Sequence, residues 1–120
     1  KDDPGIRAIV TVHSFTPVYH GEPRAVQLGI LHDVDTRLAD HMLENAAKYT
    51  QLNVVRNQPY GPQQGVTHTL KCHALENGLL NVMLEISNEL IAGQQDQQDM
   101  ALMLAKLITD ALAAVARAEI

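Results

Sequence analysis

Residues 6–24 read IRAIVTVHSFTPVYHGEPR. The run Ile6–Val12 is apolar and β-branched, with no Gly or Pro, which predicts a strand buried on both faces. From Ser14 onward the stretch turns polar and is punctuated by Pro17, Gly21 and Pro23, which predicts a loop leaving that strand. His13 and Ser14 then fall at the strand's carboxyl end, the edge at which ligands bind in open α/β sheets. A histidine delivered there by a buried strand suits metal binding or proton transfer. A lone imidazole signals little by itself, and capping the strand by a hydrogen bond is the plainer alternative.

Working outward, Val26–Leu31 predicts a second strand, and Gly29 inside it points to a close backbone approach. A helix is expected over Val34–Tyr49, capped by Asp33 or Asp35, with Leu38, Met42 and Ala46 on its apolar stripe. Leu52–Arg56 predicts a short strand, and NQPYGPQQG at 57–65 a turn-rich loop. A further helix is expected over Thr67–Asn77, stopped by Gly78. Leu79–Ile86 predicts another strand apolar on both faces, followed by a helical turn within Ser87–Ile91. The longest helix is expected over Asp96–Ala118, with Met100, Met103, Leu104, Leu107, Ile108, Ala111, Leu112 and Val115 as its buried stripe. Strands alternating with helices imply βαβ units and a largely parallel sheet.

The chain has 120 residues and a formal net charge of -5. That is one domain's worth of chain, able to bury about two-thirds of its unfolded surface. With 3% aromatic residues and no Trp, the core must be aliphatic. Lysines and arginines are scattered rather than striped, which argues against nucleic acid. No apolar run approaches the ~20 residues of a membrane span, and no signal peptide is evident. The single cysteine, Cys72, excludes an internal disulfide, suits the cytoplasm and reads as a small buried hydrophobe.

Glu85 stands near the end of an apolar strand, where an unpaired carboxylate is costly. Alternation sets it opposite Leu84 and Ile86 in facing. Pairing with an arginine or service as a general base are the two readings open to it. The strings His41-Met-Leu-Glu44 and His73-Ala-Leu-Glu76 have metal-pair spacing, but both fall on amphipathic helices whose i, i+3 face is usually solvated.

The string His13-Ser14-Phe15-Thr16-Pro17-Val18-Tyr19-His20-Gly21 with Pro23-Arg24 resembles the N-formylglutamate amidohydrolase (N-formylglutamate deformylase) family. The similarity continues through Gly29-Ile30-Leu31, Asp35-Thr36-Arg37-Leu38-Ala39, Asn57-Gln58-Pro59-Tyr60, Thr69-Leu70, His73-Ala74, Val82-Met83-Leu84-Glu85-Ile86 and Leu90-Ile91. The family is similar, distantly, to zinc carboxypeptidases. The resemblance implies a three-layer α/β/α sandwich with a mostly parallel, mixed sheet of the phosphorylase/hydrolase type. It implies zinc as cofactor, with His13 as a ligand and Glu85 as the base that takes a proton from zinc-bound water, burial raising its pKa toward the working pH. The substrate would be a small N-acyl amino dicarboxylate such as N-formylglutamate, from histidine breakdown. Arg24 and Arg37 are the candidates for its carboxylates, Tyr60, Asn57 and Ser14 for further contacts, and His73 for support behind the site.

Family members run about twice this length, and residues 1–120 match their carboxyl-terminal part. A fragment is therefore expected, with the remaining zinc ligands upstream of Lys1. Two departures touch substrate recognition: Ser87 stands where the family often has arginine, and Ala25-Val26 where it tends to have Pro-Trp. A hydrolase of another amide or a peptide, and a non-catalytic ligand-binding α/β domain, are the competing readings.

Overall fold

The structure, a computed structural model, describes residues 8–16, 18–19, 21–23, 25–32, 35–58 and 79–118. Its centre is β6 (Leu80–Ser87), every residue of which is buried. Sheet order is β1-β6-β4-β5, with β1 (Ala8–Phe15), β4 (Leu28–Leu31) and β5 (Val54–Arg56). β1 runs parallel to β6, β4 runs antiparallel to β6, and β5 runs parallel to β4. The sheet is thus mixed and mostly parallel, in an α/β fold, as expected.

The even-numbered residues of β6 face a single aliphatic core. Leu80, Val82, Leu84 and Ile86 pack there with Leu28 and Ile30 of β4, with Leu38, Ala39 and Met42 of α1 (Arg37–Asn45), and with Met100, Leu104, Leu107, Ala111 and Val115 of α2 (Gln94–Ala118). The expected stripe of the long helix is the buried one, because apolar residues at i, i+3, i+4 and i+7 share one face. Met103, Ile108 and Leu112 flank it, partly buried. Leu31 and Met83, with Ile9, form a small second cluster on the opposite face. Among the described residues both α-helices therefore cover one side of the sheet.

Several expected boundaries move. β1 was expected to end at Val12 and to be buried on both faces. It runs on to Phe15, so His13 and Ser14 lie within the strand, and its middle is half-buried to exposed. The reason is pairing: β6 supplies a partner at every step to Phe15↔Ser87, while β1 is an edge of the described sheet. The stretch after it, expected as loop, contains a short antiparallel pair, β2 (Val18–Tyr19) and β3 (Glu22–Pro23), with Gly21 at φ +78 in the turn. Such a tight turn favours glycine because a side chain there is strained.

The helix expected over 34–49 is α1 followed by a 3-10 turn, Ala46–Lys48. Its N-cap is Thr36 rather than Asp33 or Asp35, and the Thr36 hydroxyl donates to the Asp40 carboxylate at 3.0 Å instead of capping. Asp35 instead accepts from the Arg37 backbone N–H at 3.1 Å. A second 3-10 turn, Asn88–Ile91, matches the expected helical turn. The helix expected over 67–77, and Cys72 within it, lie outside the described residues, as does any second helical layer.

Candidate active site

His13 and Glu85 are register partners across the parallel β1–β6 pair. Side chains alternate along a strand and laterally paired residues project to the same side. Both groups therefore stand on the sheet face opposite the helical core, near the carboxyl ends of the two strands. Glu85 is 5% exposed, whereas His13 is exposed. A carboxylate that deep carries a large desolvation penalty, which makes it a functional candidate as well as a structural one.

The same face carries more polar groups than an aliphatic strand needs. Thr11 precedes His13 on it, and Asn81 and Ser87 bracket Glu85, at 2% and 1% exposure. The Thr11 and Ser87 hydroxyls are buried without a hydrogen-bond partner among the described residues. On the other side of Glu85 its antiparallel partner is Gly29. A Cβ on Gly29 would run into the backbone carbonyl of Gln58. The close approach expected of this glycine is thus the chain after β5, crossing the sheet beside Glu85.

Asn57 makes that crossing possible. It adopts φ 53, a left-handed conformation that asparagine tolerates better than most residues. Its Oδ1 accepts the His32 backbone N–H at 2.9 Å, and its own N–H donates to the Ile30 carbonyl at 3.0 Å. The side chain expected to touch substrate is thus engaged in holding the turn.

Arg37 is also engaged: its guanidinium meets Asp35 at 2.8 Å and 3.1 Å, and holds the Asp35 carboxyl below its ordinary range. It starts the helix that follows the carboxyl end of β4, and β4 runs against β6. Arg37 therefore begins at the edge of the sheet away from the ends of β1 and β6. Ser14 is exposed and paired with Ile86, so it projects to the side opposite His13. His41 and Glu44 lie on α1, the helix that packs on the core side of the sheet, opposite the Glu85 face. Arg24, Tyr60 and His73 lie outside the described residues.

Sequence reasoning missed a polar cluster on the helical side. Arg56 Nη2 meets Asp40 at 2.8 Å, and Arg56 Nη1 lies 2.9 Å from His32 Nε2. A guanidinium only donates, so Nε2 accepts and the ring proton sits on Nδ1. Hydrogen bonding from Arg56, helped by the Thr36 hydroxyl, keeps the Asp40 carboxyl below its ordinary range. The polar strip on β6 did have a signal: Asn81, Glu85 and Ser87 are all odd-numbered, so they share one face of an otherwise apolar strand, with Met83 between the first two.

Among the described residues no three His, Cys, Asp or Glu side chains converge on a point. A catalytic zinc takes three protein ligands and an open position. On the Glu85 face the described residues thus offer one imidazole donor, His13, beside a buried carboxylate, and the chemistry of that pair fits one corner of such a centre rather than all of it. No described helix is long and apolar enough to cross a membrane.

A crystal structure of a gene product from Agrobacterium tumefaciens is similar to this chain, with 56% sequence identity and a TM-score of 0.83. The similarity covers 91% of this chain and 44% of that one, so this chain spans less than half of that protein's length. No curated protein matches the chain. The family profile described as N-formylglutamate amidohydrolase matches residues 1–92, which is most of the sequence and includes every strand of the sheet. The chain belongs to the N-formylglutamate amidohydrolase family.

Proposed function

We propose that the protein carrying this chain hydrolyses an N-formyl amino acid, such as N-formylglutamate, to formate and the free amino acid. The observation that carries this reading is the register pairing of an exposed imidazole with a buried carboxylate at the ends of two parallel strands. Glu85 is the general base. It takes a proton from the attacking water as the hydroxide oxygen bonds to the formyl carbon. It then returns the proton to the amide nitrogen as the carbon–nitrogen bond breaks. His13 would hold a zinc ion as one of its ligands. Zinc, when bound, polarises the scissile carbonyl and lowers the pKa of a water.

Arg24 and Tyr60 remain the proposed substrate contacts, with His73 behind the site. Asn57 acts instead by setting the turn that brings Gln58 beside Gly29 and Glu85. A second reading, hydrolysis of another amide or a peptide, is favoured by one observation: the residue two past Glu85 on the same face is a neutral, buried serine.

The test is a panel of N-formyl amino acids, other N-acyl amino acids and short peptides, assayed with the full natural chain, together with elemental analysis. Formate release with stoichiometric zinc is expected. Cleavage restricted to peptides or to other acyl groups selects the second reading. No hydrolysis and no metal overturns both and leaves a ligand-binding domain.

A further inference from the structure

His32 directly follows β4 and is buried. Two consecutive residues at the end of β5 converge on it. Arg56 Nη1 lies 2.9 Å from its Nε2, and the Asn57 side-chain amide lies 3.4 Å from the same nitrogen. Asn57 Oδ1 accepts the His32 backbone N–H at 2.9 Å. Arg56 is itself anchored through Nη2 to Asp40 of α1 at 2.8 Å. Asn57 meanwhile holds φ 53, and a non-glycine residue keeps such a conformation where its surroundings over-determine it.

The two sides of the sheet meet at this turn. Arg56 pairs in register with Ile30, a core residue, so both project to the helical side. One residue past Asn57, the Gln58 carbonyl fills the space beside Gly29, the register partner of Glu85. The bonds to His32 therefore grip, from the helical side, a segment that borders the carboxylate on the other. Resting on the reading of Glu85 as the general base, we propose that His32 is a positioning residue for that base. Clamped between Arg56 and Asn57, it fixes the 57–58 turn and so the main chain that encloses Glu85. It acts through Asn57 and Gln58, not on the substrate.

The test uses the metal-loaded full-length protein with N-formylglutamate, at a temperature well below the Tm of every variant. His32→Phe keeps a planar ring and removes the acceptor. It should lower kcat by about 10- to 100-fold, the scale on which a misplacement of about 1 Å acts, with zinc content as in the wild type. His32→Gln, whose side-chain oxygen can accept from Arg56, should recover most of that loss. Asn57→Gly tolerates the positive φ but removes the latch on the His32 N–H, and should reproduce the loss even if His32→Phe does not fold. Val115→Ala, a cavity in the core beneath α2, should lower Tm and leave kcat unchanged, which separates positioning from stability. Wild-type kcat in Asn57→Gly, no recovery in His32→Gln, or an equal loss of kcat in Val115→Ala overturns the proposal and leaves the hydrolase reading standing. Near-normal kcat in Glu85→Gln, or no hydrolysis by the wild type, removes the base itself, and this inference with it.

Discussion

The carbonyl of Gln58 occupies the space into which a side chain on Gly29 would project. Gly29 is the register partner of Glu85, so this contact lies directly beside the buried carboxylate. The missing side chain lets main chain reach the active face, at the point where Asn57 has turned it with a positive φ. Gly29→Ala forces the backbone at 58 to shift, an overpacking that costs about 1–3 kcal/mol. A fall in Tm of at least several degrees is expected by calorimetry. Hydrolysis should fall with it, since the displaced segment borders Glu85; a variant of wild-type Tm and activity would contradict the close approach.

Glu85→Gln keeps size and shape while removing the charge and the basicity. The fold should persist by circular dichroism, and kcat should fall by about 10²–10⁴, the usual worth of a positioned base. Near-normal kcat would remove Glu85 from the mechanism.

His13→Ala alters an exposed side chain on the edge strand of the described sheet, so its effect should stay within roughly 0.5 kcal/mol of stability. Zinc content by elemental analysis should drop well below stoichiometric. Full retention of metal would show that the ligands lie elsewhere.

The cluster of Asp40, Arg56 and Thr36 ties α1 to β5 and has a defined acid limit. Hydrogen bonding from Arg56 lowers the Asp40 pKa in the folded state, so folding favours the ionised carboxylate. Its stabilisation is complete above the ordinary carboxylate pKa of about 3.9 and is lost as pH falls through the lower folded value. Both partners are about half exposed, at 44% and 49%. The pair is therefore worth roughly 0.2–1 kcal/mol and should weaken with salt. The Tm difference between wild type and Asp40→Asn should be present at pH 7 and vanish as the pH falls through the lowered folded-state pKa of Asp40. Tyr49 gives the opposite limit. Its hydroxyl donates to Asp110 at 2.8 Å, which raises the phenol pKa. Its contribution is present below the ordinary value of about 10 and is lost as pH rises through the folded one, so Tyr49→Phe and wild type should converge in alkali.

Two leucines of one helix separate packing from propensity. Leu107 is 1% exposed within the core, and Leu102 is 63% exposed. Leu107→Ala should cost about 2–5 kcal/mol. Leu102→Ala should stay within about 0.5 kcal/mol, measured by denaturant unfolding.

The local pattern was enough to place the strands around residues 8–15, 28–31, 54–56 and 80–87, and both described helices. β-branched apolar runs and a 3.6-residue stripe report burial directly, and burial drives this core. Boundaries were less legible, because the end of β1 depends on how far β6 runs alongside it, and the start of α1 on a threonine that bonds Asp40 instead of the backbone. The candidate base and imidazole were visible as residue types in place. That they share one face was not, because a shift of one residue in register would have put them on opposite sides of the sheet. That some backbone approaches Gly29 was legible; that it is the Gln58 carbonyl was not, nor was Arg56 meeting Asp40 and His32. Each of these contacts joins elements distant along the chain, and only the folded arrangement decides which groups meet.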